Sequence, residues 1–130
     1  MEFEGQYLSY EEYVALGGAL DITSFNLLEF EARRRIDLRT LNRLRNIDTS
    51  DIPQEVKICE FNLIDTILTA YNDEITRGKA SETVGSYSVT YNNDIKQVIE
   101  GKDAELKDMI KTYLHGIIVN GEHILYLGVD

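Results

Sequence analysis

Six of the chain's seven arginines, Arg33, Arg34, Arg35, Arg39, Arg43 and Arg45, stand within thirteen residues that include no lysine. With Asp37 as its only acid, that window carries +5 in a chain of 130 residues whose net charge is −10, which leaves −15 on the other 117. A guanidinium group is planar and permanently charged, and its N–H donors match carboxylate or phosphate oxygens in pairs. Such a stripe has three readings: a solvated face, an intermolecular ion-pair surface, or a nucleic-acid contact. The acidic remainder favours the second over the third. Copies of one molecule can pair stripe to acid, whereas binding by counterion release needs a broadly basic surface.

No catalytic constellation accompanies the arginines. Cys59 falls on an apolar helical row, which suits a buried small hydrophobe better than a nucleophile, and as the only cysteine it forms no internal disulfide. His115 sits at a helix end and His123 beside a turn. With Glu122 they form a loose trio that lacks the close spacing of His-x-x-x-His or Cys-x-x-Cys metal pairs. The acidic neighbours Glu11-Glu12 and Asp73-Glu74 point in different directions, as solvated charge does. The nine glycines show no phosphate-binding or dinucleotide pattern. The expectation is no catalytic residue, no cofactor and no metal. With 43% apolar and 28% charged residues the composition is that of an ordinary globular domain. No apolar run approaches the roughly 20 residues that span a bilayer, and the acidic start Met1-Glu2-Phe3-Glu4 differs from the basic start of a secretory leader.

The elements that must position these residues are mainly helical. Ser9 with Glu12 is a capping box for a short helix of about two turns stopped at Gly17-Gly18. Asp21 or Thr23 caps a second helix carrying Phe25, Leu28, Ala32 and Ile36, with a break expected at Asp37. Asn46 to Asp51 is a polar turn. Pro53 then opens the longest helix, about Ile52 to Ile75, with Val56, Cys59, Leu63, Ile67 and Ala70 in one row. Ile58 lies off that row. Gly85, Tyr87, Val89 and Tyr91 alternate with Ser86, Ser88 and Thr90, the period of a strand. A short helical turn with Ile95, Val98 and Ile99 follows. Asp103 to His115 then carries Leu106, Met109, Ile110, Tyr113 and Leu114 at helical spacing. Asn120-Gly121 between apolar runs signals a hairpin.

The expected fold is therefore one mainly α domain over residues 1–130. It comprises a helical core at about 9–115, an extended arm at about 81–93 and a β-prone tail at 116–130. The middle strand pairs either with the tail or between subunits, since a lone strand leaves its N–H and C=O groups open.

The run Ser81 to Tyr91 (S-E-T-V-G-S-Y-S-V-T-Y), after a long helix and a polar loop, resembles a segment of tailed-phage head–tail connector, or portal adaptor, proteins. Ala32 to Thr40 (A-R-R-R-I-D-L-R-T), Tyr113-Leu114-His115-Gly116 and Leu125-Tyr126-Leu127-Gly128-Val129 fit the same order of elements, with a longer stretch at Ile117 to His123. The resemblance implies a non-enzymatic virion protein at the head–tail interface, assembled in the host cytoplasm. Such a protein forms a ring under the portal, twelvefold in the virion. It extends a channel through which DNA passes without sequence-specific binding, and docks the next head-completion or tail protein. Subunit contacts are expected at Arg33, Arg34, Arg35, Arg39, Arg43, Tyr87, Val89 and Tyr91, and portal contacts at Ile124, Leu125, Tyr126, Leu127 and Gly128. No membrane partner is expected. The alternatives are another neck protein (a stopper or tail-completion protein) and, from a different class, an acidic DNA mimic.

Overall fold

The computed structural model describes residues 5–45, 47–76, 93–119 and 121–125. Helix α1 (Tyr10–Ala15) starts at Ser9, whose hydroxyl accepts the Glu12 N–H while Glu12 Oε1 accepts the Ser9 N–H at 2.9 Å. This is the reciprocal box the sequence predicts. The turn behind α1 requires Gly18, because a Cβ there would fall 2.2 Å from the Tyr13 ring. That ring packs among Tyr10, Phe25 and Phe61, and its hydroxyl accepts the Leu20 N–H.

Helix α2 (Ile22–Thr40) is capped by Asp21, whose carboxylate accepts the Ser24 N–H at 2.7 Å. It runs through Asp37 without the expected break. Asp37 does not cap a new helix there because its carboxylate accepts the hydroxyl of Tyr7, while Ile36 beside it is buried in the core. The helix stops instead at Leu41, which adopts a left-handed conformation (φ 50°), followed by Asn42 (φ 61°). A 3-10 turn at Thr49–Asp51 then leads into α3 (Gln54–Thr76), the longest element.

Val56, Cys59, Leu63, Ile64 and Ile67 of α3 are sealed from solvent. Burial of each such side chain stabilises the fold by about 1.5–3 kcal/mol. Helix α3 packs against α2, α4 (Asn93–Gly101) and α5 (Asp103–Leu114), and so holds the central place its apolar row predicts. Helix α5 adds Leu106, Ile110 and Leu114 to the core, and α1 leans on α2.

The tail closes on itself through β1 (Ile118–Val119) and β2 (Glu122–His123), antiparallel, with Ile118 opposite His123 and Val119 opposite Glu122. Gly121 (φ 82°) supplies the left-handed turn position. Past the hairpin, Ile124 and Leu125 are buried in the chain's own core. The structure is thus the mainly helical bundle that the sequence predicts. The expected arm, with Tyr87, Val89 and Tyr91, lies outside the described residues, as do Tyr126, Leu127 and Gly128. No helix among the described residues is long and apolar enough to cross a membrane.

Candidate interaction surface

The arginine cluster does not form one face. Consecutive helical positions point about 100° apart, and α2 sends its arginines to several places. Arg33 turns inward and pairs with Glu29 at 3.3 Å. Arg35 is half-buried against α5, its Nε 3.8 Å from Asp103, and Arg39 lies along the same α2–α5 seam beside Lys107 and Ile110. Arg43 reaches the hairpin, donating to the His123 carbonyl at 2.9 Å and the Ile124 carbonyl at 3.4 Å. Arg34 and Arg45 remain exposed. Of the arginines read as subunit contacts, Arg33, Arg35 and Arg43 therefore hold the chain together internally.

Arg33 leads into a polar cluster that sequence reasoning missed. Glu29 of α2 and Glu60 of α3 are both fully buried and face each other. The Tyr7 N–H donates to Glu29 Oε2 at 3.3 Å. Neither oxygen of Glu60 accepts a hydrogen bond in good geometry, and the Leu8 N–H lies near it without completing one. Two carboxylates side by side in a sealed core repel, so the stable arrangement retains a proton between them. Burial, reinforced by Glu29, pushes Glu60 well above the usual carboxyl range. Burial likewise raises Glu29 to about 7 against the pull of Arg33. Asp37 and Tyr7 border the cluster; burial raises both, and the bond to Asp37 raises Tyr7 further. The cluster pins the segment before α1 between α2 and α3. Among the described residues no group of His, Cys, Asp and Glu is arranged to hold a metal.

Along the outer side of α2 runs a second apolar row. Phe30, Arg34 and Leu38 follow one another at four-residue spacing, and Leu41 continues the row at the helix end. Leu38 is 63% exposed, Leu41 50% and Phe30 41%. The guanidinium groups of Arg33 and Arg34 lie 5.6 and 5.9 Å from the Phe30 ring centroid, within cation–π range. The row forms one wall of a cleft of about 600 Å³, which Gly5, Tyr7, Asp37 and Arg45 also line.

A different groove, of about 390 Å³, lies where α1 meets the start of α3. It is lined by Leu8, Ala15, Leu16, Ile52 and Ile58, with Lys57 paired to Glu12 at its edge. Ile58, off the core row in sequence, thus belongs to this groove. Leu16, within this lining, is nearly half exposed. The residues next to its lining in sequence, Glu11, Asp51 and Glu55, are exposed acids. The two surfaces share no lining residue.

No family model, curated protein or solved structure matches the chain.

Proposed function

We propose that the chain is a structural assembly protein of a tailed phage, the adaptor that forms a ring under the portal, extends the DNA channel and docks the next neck component. The observation that carries this reading is the outer side of α2 and the turn after it, where the large apolar side chains Phe30, Leu38 and Leu41 stand with the exposed Arg34 and Arg45 on an otherwise acidic helical domain. An acidic surface also repels phosphates, so DNA can move past it.

The resemblance places portal contacts in the tail. Since Ile124 and Leu125 belong to the core, a portal contact there falls to Tyr126, Leu127 and Gly128. Electron microscopy of the chain mixed with a candidate portal protein tests the reading. Rings seated on the portal are expected. Portal particles that remain bare at saturating chain concentration would overturn it.

A further inference from the structure

We infer that the chain docks head to tail on a second copy of itself, the Phe30–Arg34–Leu38–Leu41 ridge of one molecule seating in the acid-flanked groove between α1 and α3 of the next. This deepens the ring reading above and rests on it, because it names the two surfaces through which neighbouring subunits meet.

The first argument is conformational. A left-handed residue just past a helix is ordinarily glycine, because a Cβ there crowds the following carbonyl. Here Leu41 holds that position at φ 50°, with half of its surface in solvent. Folding alone would be better served by glycine. Strain of this kind persists where the side chain is needed for something else, and Leu41 is placed at the end of an exposed ridge with Leu38 and Phe30.

The second argument is charge. The ridge carries Arg34 along it and Arg45 beside it, while the groove's own Lys57 is neutralised by Glu12 and the exposed acids Glu11, Asp51 and Glu55 adjoin its lining residues along the chain. Each apolar surface thus carries the charge opposite to the other's, which favours ridge-to-groove pairing and sets ridge against ridge or groove against groove in like-charge repulsion. The third argument is that the surfaces differ. A contact between two different patches is heterologous, and it propagates into a ring or a filament rather than stopping at a dimer.

Sedimentation velocity on the full chain over a rising concentration series, with a thermal melt for every variant, tests the contact. Wild type is expected to self-associate, less so as salt screens the charges. Leu41→Gly is expected to melt at a higher temperature yet associate about tenfold more weakly or worse, a combination that misfolding does not produce. The pair Arg34→Glu/Arg45→Glu and the pair Glu11→Arg/Glu55→Arg are each expected to stay monomeric alone and to associate when mixed, because every face then meets its complement. The proposal is overturned if Leu41→Gly associates like wild type, if the two charge variants stay apart on mixing, or if wild type never associates. A chain that seats on the portal while failing these tests keeps the adaptor reading and loses this contact. One that passes them but ignores the portal keeps the contact and loses the reading.

Discussion

Replacing Glu60 by glutamine should make the protein more stable at neutral pH while changing little near pH 5. Glu60 keeps its proton in the folded core because burial and the neighbouring Glu29 disfavour its charge; unfolded, it releases that proton near pH 4.3. Above that pH the folded state binds more protons than the unfolded state. Stability therefore falls as pH rises, by about 1.4 kcal/mol per unit for each proton retained. Glu29, raised from 4.5 to about 7 by its burial, adds a loss of the same sign, amounting to about 3 kcal/mol across that interval. A glutamine amide still donates to Glu29 but never ionises, so it preserves the contact and removes the proton uptake. Between pH 5 and pH 7 the variant should lose less stability than wild type, by up to about 1.4 kcal/mol per pH unit, the limit set by one retained proton and roughly 5 °C in melting temperature per unit for a domain of this size. Glu12 pulls the other way at the acid end. Burial works against its charge, but its bonds with Lys57 and Ser9 prevail and hold it below the usual range, so its contribution is lost as pH drops through that depressed value. Melts followed by circular dichroism at each unit from about pH 3 to about pH 8 and constant ionic strength would measure both slopes. Parallel curves for wild type and Glu60→Gln would refute the reasoning, since a retained proton must appear as a difference in slope.

Gly18→Ala should destabilise by about 1–3 kcal/mol, read in a urea titration, because the new methyl meets the Tyr13 ring that anchors Leu20. Cys59 should resist thiol reagents in the native protein and react only on global opening, since burial pushes its thiol up to about 12; fast labelling under native conditions would contradict this. Truncation after Glu122 removes the buried Ile124 and Leu125 and should cost about 2–5 kcal/mol for each large side chain lost. Asp21→Ala should cost about 1 kcal/mol through the lost helix cap.

What could be read from the sequence was what neighbouring residues decide among themselves. The capping box at Ser9, the cap at Asp21 (one of two the sequence allows), the apolar row of α3 and the hairpin around Gly121 each depend on residues within a few positions of one another. The break at Asp37 misread a carboxylate whose partner, Tyr7, stands thirty residues away. Glu29 and Glu60 escaped notice because a single acid beside apolar residues reads as the solvent edge of a helix. Yet Phe25, Glu29, Ala32 and Ile36 form one row, and Val56, Glu60, Ile64 and Ile67 another, so both acids stood at core positions. Arg33, Arg34 and Arg35 were grouped by composition, although helical geometry already divides three consecutive residues among three directions.

The short segment before α1 touches both surfaces of the molecule. Tyr7 lines the cleft beside the α2 ridge, and Leu8, the next residue, lines the groove under α1. One peptide unit separates them; the Tyr7 N–H is held by the buried Glu29 of α2, and Leu8 itself is sealed in the core beside Glu60 of α3. A neighbour pressing on either side therefore pushes on the same stiff strut. Coupling of this kind is reciprocal: whatever the first docking event adds to the second, the second returns to the first. In the ring proposed above, a closed circle of subunits would gain that increment at every joint, whereas an open arc would forgo it at both ends, so assembly through this strut would favour complete circles over fragments.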